Sequence, residues 1–290
     1  MAQSRYYRVA DHLFSVTAEE SVFEQMTHYL PFETQTTGDT VFDLTVGPLN
    51  LNQTPEHVFT DSSDDDMPRI EIYRLGEDRL FCVSQTKASP ICLHLLTTQD
   101  MHRAQLQIDT DDLRFCIDNA CMLLFAFATV HLHTLMMHAA VIERQERGFL
   151  FLGHSGTGKS THARMWLQAF GDARLLNDDN PVLRVLEDGQ VRVYGSPWSG
   201  KTPCYINRDV AVGTITQLVQ APQNELHPLR LPEAYAYMLS SCSGLKIDPP
   251  MMDALYDTIV RVIQTVPVYR LHCLPDTDAA LMAYSSFSKS

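Results

Sequence analysis

The run Gly153-His154-Ser155-Gly156-Thr157-Gly158-Lys159-Ser160 constrains this chain more than any other feature. It is entered from the apolar stretch Gly148-Phe149-Leu150-Phe151-Leu152 and followed by Thr161-His162-Ala163-Arg164-Met165-Trp166. The spacing G-x-x-x-x-G-K-[ST], the Walker A pattern, predicts a strand over 148–152, a tight loop, and a helix over 161–170. Glycines at 153, 156 and 158 let the backbone turn and bring bare N–H groups against an anion, and the helix N-terminus adds a favourable dipole. Gly153, Ser155, Gly156, Thr157, Gly158, Lys159, Ser160 and Thr161 therefore form the expected phosphate cradle. Lys159 is expected at the β- and γ-phosphates of ATP, and the Ser160 hydroxyl at Mg²⁺. His154 fills a variable position and carries no expected role.

A second polar signal follows eighteen residues after Lys159, where Arg174-Leu175-Leu176-Asn177 runs into Asp178-Asp179-Asn180. Adjacent carboxylates at a strand end suit metal holding and proton acceptance, the two demands of phosphoryl transfer. Taken alone the same residues would read as a solvated turn. Further on, Gly195-Ser196-Pro197-Trp198-Ser199-Gly200-Lys201-Thr202 is a second turn rich in Gly, Ser and Lys. Lys201 and Thr202 are the candidates there to face a substrate. Arg208 is a weaker one.

The chain upstream has another texture. Short alternating runs over 41–46, 69–75, 79–84, 91–97 and 104–109 are separated by Gly, Pro, Asp and Asn, which predicts strands and turns. Residues 1–110 are thus expected to form a β-rich N-terminal lobe, and 111–290 the P-loop domain. Asp111 and Asp112 precede an apolar run expected as a buried helix over 113–135. Strands are predicted over 137–143, 148–152, 182–186, 191–194 and 210–219, and helices over 232–241 and 249–266.

Composition narrows the partners. A net charge of −13 with no basic run argues against nucleic acid and against anionic lipid. The acidic patch Asp64, Asp65, Asp66 reads as a solvated loop. Seven scattered cysteines without a C-x-x-C pair indicate neither a disulfide framework nor a zinc site, and fit free thiols in a reducing cytoplasm. No apolar leader opens the chain, and the apolar stretch 121–130 reads as a buried helix, not as a bilayer span. The sequence leaves homo-oligomer formation open.

Taken together, His138-Ala139-Ala140-Val141-Ile142, the strand and glycine loop, and Leu175-Leu176-Asn177-Asp178-Asp179-Asn180 resemble the catalytic domain of HPr kinase/phosphorylase. The same order of P-loop and Asp-Asp occurs in phosphoenolpyruvate carboxykinase. The resemblance covers 136–200 and implies an α/β (α+β) domain of that P-loop superfamily. It implies an ATP- and Mg²⁺-dependent kinase acting on a hydroxyl of a protein, a peptide or a small molecule. By position, Asp178 would be the base, Asp179 would help Ser160 hold the metal, and His138 would lie near the phosphates. No Arg-Gly-Leu-Gly-type stretch follows, so HPr is not the implied acceptor. The alternative from another class is a non-catalytic nucleotide sensor or regulatory partner.

Overall fold

The structure is a computed structural model that describes residues 2–61, 68–200 and 202–287. Asp64, Asp65 and Asp66, and with them Lys201 of the expected substrate loop, lie outside the described residues. The chain forms two compact units, 1–128 and 129–290. Both are built on a sheet that carries helices, a mixed α+β architecture.

The first unit contains β1 (Gln3–Val9), β2 (His12–Ala18), α1 (Glu20–Glu24), β3 (Glu33–Thr34), β4 (Asp43–Val46), β5 (Glu56–Asp61), β6 (Arg69–Leu75), β7 (Asp78–Ser84), β8 (Ile91–Thr97), β9 (Arg103–Ile108) and α2 (Leu113–Thr129). Among the described residues they make one sheet in the order β3-β1-β2-β4-β9-β8-β7-β6-β5. Neighbours run antiparallel except where β4 lies parallel to β2 and to β9. Phe125 of α2 meets Phe14 edge-on at 6.3 Å, and Phe127 meets Phe81 at 6.0 Å. Asp118 accepts a hydrogen bond from Tyr29 Oη at 3.0 Å and lies 2.8 Å from His28 Nε2. These contacts bury the helix in the first unit, so the second unit opens at Thr129 and not at Asp111.

The helix is also shorter than its apolar pattern suggests. It ends at Thr129, and after a 3₁₀ turn over Val130–Leu132 the backbone of His133 turns left-handed (φ 52°) and feeds a strand. By length and composition alone, Leu113–Leu132 is long and apolar enough to cross a membrane. In this fold its residues Cys116, Ile117, Ala120, Cys121, Leu124 and Phe125 are fully buried.

The second unit contains β10 (Thr134–Met136), β11 (Ala139–Arg144), β12 (Arg147–Leu152), α3 (Lys159–Ala169), β13 (Arg174–Asp179), β14 (Val182–Val185), β15 (Val191–Tyr194), β16 (Asp209–Gln220), β17 (Glu225–Pro228), α4 (Leu231–Ser241), α5 (Pro249–Thr265), β18 (Val268–Cys273) and α6 (Thr277–Phe287). The sheet order is β10-β14-β15-β16-β12-β11-β13, with β18 beside the distal part of β16 and β17 beyond it. Strands β12, β16 and β18 are mutually parallel neighbours in that order. The apolar face of β11 and β12 is covered by α3 and α6. Trp166 is fully buried against Phe149, Phe151, Phe170 and Tyr284, with ring centroids 4.8 to 5.9 Å away. That aromatic block fixes where α3, and so its N-terminus, sits on the sheet.

The segment between β15 and β16 folds back onto β13. Gly195 N–H donates to Arg208 O at 2.9 Å, closing the segment at its base. Arg208 in turn forks onto the buried carboxylate of Glu143 in β11, at 2.8 and 2.9 Å. A Cβ at Gly195 would stand 2.0 Å from Ile206 O, so the backbone approach there admits glycine alone.

Two outcomes follow from this packing. Gly195→Ala should destabilise the protein by roughly 1–3 kcal/mol through overpacking. Gly171→Ala, where a Cβ meets nothing within 4 Å, should stay within about 0.5 kcal/mol of the parent; equal urea midpoints for the two variants would contradict the close approach. The second concerns His162, which is 3% exposed, accepts from Trp166 Nε1 at 3.0 Å and lies edge-on to Phe151. Burial pushes its pKa down to about 4 from 6.5, with Asp276 opposing. Because the unfolded chain binds this proton first, the contribution is complete above pH 6.5 and is lost as pH falls towards 4. Acidification should therefore lower the unfolding free energy of the parent more than that of His162→Leu, by up to about 3 kcal/mol. Parallel stability profiles for the two proteins would contradict this.

Candidate functional site

Strand register assembles the site. On β11, Ala139 faces Leu152 of β12 on one side and Asp179 of β13 on the other, while Ala140 faces Phe151 and Asp178. Since β12 and β13 both run antiparallel to β11, their carboxyl ends reach the same edge of the sheet, beside the start of β11. That edge is where the glycine loop begins, where the Asp pair sits, and where His138 enters. His138 is held by its backbone N–H, which donates to Ser241 O at 2.7 Å.

The loop is a turn ahead of a helix. Gly156 and Gly158 both adopt left-handed backbone (φ 79° and 99°), and Gly158 caps α3, which therefore starts at Lys159, two residues ahead of the predicted start. Thr157 Oγ1 donates to His154 O at 2.6 Å, which tightens the crest while His154, Ser155 and Gly156 stay exposed. Lys159 Nζ spans the loop and donates to Gly153 O at 2.8 Å and to His154 O at 3.3 Å. No acidic residue occupies the first turn of α3, so the positive end of its dipole is not neutralised from within the helix. Thr161 is half-buried in that same turn.

The carboxylates separate in space. Asp178 is 6% exposed, and its Oδ1 accepts from Ser160 Oγ at 2.9 Å. Asp179 turns to the other side, with Oδ1 3.2 Å from His138 Nδ1 and Oδ2 accepting from Asn180 Nδ2 at 3.0 Å. Burial raises the pKa of Asp179, opposed first by His138 and then by Lys159. Burial likewise lowers the pKa of His138, helped by the Lys159 charge and opposed by Asp179 and Asp178. Lys159 is lowered by burial too, with both carboxylates opposing. Burial thus works against the charged form of both His138 and Asp179, and the charge of each opposes that effect on the other.

The segment after β15 closes the carboxylate side. Gly200 N–H donates to Asp178 O at 2.8 Å, and Ser199 pairs with Asp179 as an isolated bridge. Ser196 is the hub: its Oγ accepts from Asn177 Nδ2 (3.1 Å) and from Trp198 N–H (3.2 Å), and donates to Asn180 O (2.6 Å). Thr202 is exposed, and its carbonyl accepts from Ser199 Oγ at 2.6 Å. Arg208 lies at the base of the segment in its fork with Glu143.

His138, Lys159, Ser160, Asp178 and Asp179 therefore come together at one sheet edge. Ser160 Oγ and Asp178 Oδ1 form a pair of hard oxygen donors of the kind that Mg²⁺ takes, which usually holds one or two protein ligands beside waters and phosphate oxygens. Among the described residues no group of three or more His, Cys, Asp or Glu side chains is placed to hold a metal ion, and all seven cysteines are free. Sequence reasoning missed the far wall of the loop, formed by Gln220, Ala221 and Cys273 to Pro275, together with His162. The signal was the proline that follows each strand end, Pro222 after β16 and Pro275 after β18.

Comparison with known proteins adds three findings. No curated protein matches this chain. Among solved structures it is similar to the Hpr(Ser) kinase/phosphatase from Coxiella burnetii, at 14% identity and a TM-score of 0.32, over 53% of this chain and 95% of that one. That likeness is too distant to extend to activity. The family model described as SynChlorMet cassette protein ScmC matches residues 105–275, more than half of the chain. By that match, which takes in the glycine loop, the Asp pair and the segment after β15, the chain belongs to the ScmC family.

Proposed function

We propose that this chain binds ATP with Mg²⁺ on the loop Gly153 to Ser160 and transfers the γ-phosphoryl group to a hydroxyl-bearing acceptor. The observation that carries the reading is the split of the carboxylate pair: Asp178 sits on Ser160 at 2.9 Å and Asp179 on His138 at 3.2 Å. A loop that only held phosphate would have no use for a second, separately placed acid. The sequence resemblance to the HPr kinase/phosphorylase catalytic domain supports the same reaction class.

The contacts favour exchanging the two Asp roles that the resemblance implies. Asp178, beside the Ser160 hydroxyl, belongs with the metal, and Asp179, beside His138, belongs with the acceptor. Ser160 and Asp178 would hold Mg²⁺, which when bound would supply positive charge against the negative charge that develops in the transfer. The loop amides and Lys159 orient the phosphate chain. Asp179 accepts the proton from the acceptor hydroxyl; the acceptor oxygen then bonds to the γ-phosphorus as the bond to the β–γ bridging oxygen breaks, and ADP leaves. A base whose pKa is raised by burial is moved toward the working pH, which suits this task. The acceptor is a hydroxyl of a protein, a peptide or a small molecule, and the exposed Thr202, whose carbonyl is bonded to Ser199, is the residue we assign to meet it.

Three variants separate the parts. Lys159→Ala should weaken ATP binding at least tenfold, about 1.4 kcal/mol or more, by calorimetry. Asp178→Asn should raise the Mg²⁺ concentration needed for half-maximal turnover, with activity partly restored by excess metal. Asp179→Asn should keep ATP affinity and lose roughly 10²-fold in kcat. Full phosphorylation of the acceptor by the double Asn variant at saturating ATP and Mg²⁺ would end the kinase reading. It would leave a nucleotide-responsive regulator in its place.

A further inference from the structure

A glycine is required where the backbone turns left-handed or where a neighbour lies against the bare Cα. Among the described residues the first reason holds for Gly76, Gly156, Gly158 and Gly189, all at positive φ. Gly200 is not of that kind, since its backbone lies outside the left-handed region and the residue is exposed. Its turn gives no conformational reason for glycine, so the reason lies in what packs against it.

What packs against it is the carboxylate pair. A Cβ at Gly200 would stand 2.9 Å from Asp178 O, 3.1 Å from Asp179 Cβ and 3.2 Å from Asp179 Cγ. The first distance is closer than a real Cβ comes, and the other two require the neighbour to give by a few tenths of an ångström. Asp178 O is backbone and accepts the Gly200 N–H at 2.8 Å, so it cannot retreat without loosening that bond. The side chain of Asp179 is the part free to move.

Three neighbours therefore set where the Asp179 carboxylate lies. His138 Nδ1 stands 3.2 Å from Oδ1, Asn180 Nδ2 donates to Oδ2 at 3.0 Å, and Gly200 leaves room by carrying no side chain. The segment that presents Gly200 is itself fixed. Ser199 bridges to Asp179, Ser199 Oγ donates to Thr202 O at 2.6 Å, and Ser196 Oγ donates to Asn180 O at 2.6 Å. A methyl group at residue 200 cannot swing clear, and it pushes on the Asp179 side chain. The Asp178 carboxylate, bonded to Ser160, is not among the atoms it meets.

We propose that Gly200 is a positioning residue for phosphoryl transfer, whose bare Cα gives the Asp179 carboxylate the place from which it meets His138 and the acceptor hydroxyl. The proposal rests on the assignment of proton acceptance to Asp179. It adds the device that holds this carboxylate in place. Misplacing a reacting group by about 1 Å can cost on the order of 10²-fold in rate, so a shift of a few tenths is expected to cost roughly tenfold.

The test measures ADP release by the full chain from ATP and Mg²⁺, with water as the acceptor, beside ATP affinity by calorimetry and a crystal structure of Gly200→Ala. That variant should lose roughly tenfold in kcat and keep ATP affinity within about twofold. Its structure should show Asp179 Oδ1 drawn away from His138 Nδ1. Gly171→Ala, where a Cβ meets nothing, should keep the parent rate. In Asp179→Asn, which keeps the shape without the base, adding Gly200→Ala should cost nothing further, whereas a merely structural loss would recur there in full. A parent rate in Gly200→Ala overturns the proposal and leaves Asp179 as the base. So does an equal loss in the Asp179→Asn background, or a variant structure that keeps the 3.2 Å contact. Should the parent bind ATP and release no ADP, that structure decides alone. Failure of the parent to bind ATP removes the phosphate site, and the proposal with it. Should Gly200→Ala not fold, Asp179→Gly/Gly200→Ala, which removes the side chain it presses on, should recover folding; failure of that pair as well places the conflict on the Asp178 carbonyl and overturns the proposal.

Discussion

Everything at this site depends on the pairing of β11 with a strand on each side. A shift of one residue between β11 and either neighbour would turn each inward side chain outward and part the Asp pair from the glycine loop. The register is protected at both ends. The alternation of Ala140 and Ile142 toward the aromatic block under α3 admits one phase of the strand. At the far end the buried Glu143 takes the fork of Arg208, which a slipped strand could not offer. Removing Arg208 would leave a carboxylate buried without a full partner, a penalty larger than the ion pair's net worth.

The same pairing explains why two neighbouring Asp residues serve different atoms. Adjacent positions on a strand point to opposite faces. Asp178 therefore meets the helix side, where Ser160 lies, and Asp179 meets the His138 side. The segment after β15 makes this division stable by supplying Gly200 N–H to the Asp178 carbonyl and the Ser196 hydroxyl to Asn180. The carbonyls of Asp178 and Asn180 at the strand end are thus satisfied by that segment and not by water or ligand.

Local signals were readable where they were strong. The glycine loop between strand and helix, the hairpin around Asp188-Gly189, and the strands at 69–75, 91–97 and 191–194 fall where the alternation places them. So does α5, which buries Met251, Leu255, Thr258, Ile259 and Val262; of the apolar spacing Met252, Leu255, Tyr256, Ile259 and Ile263 that the sequence offers, Leu255 and Ile259 lie on that face and the others are half-buried. Other elements carry no such pattern. Strands β1 and β2 are marked by residues such as Arg5, His12 and Ser15 that occupy their faces through side-chain pairing, and their tight turn uses Ala10 and Asp11 at positive φ in place of glycine. Strand β18 and helix α6 lie in a short tail of mixed composition, and their place is set by β16 and α3. The end of α2 was hidden because its apolar run continues through the 3₁₀ turn into β10 without a Gly or Pro. The backbone reversal falls on His133. The Asp pair could be seen as a candidate, but which carboxylate faces Ser160 depends on strand phase, which composition does not reveal.

Hydrogen–deuterium exchange with and without Mg²⁺ and ATP bears most directly on the central claim that the glycine loop is a phosphate site, because it reads the amides that would cradle the phosphates. The account predicts slowed exchange in 153–161 and 177–180 when both are added, and a smaller effect with ATP and chelator. Unchanged exchange in 153–161 at millimolar ATP and Mg²⁺ would contradict it.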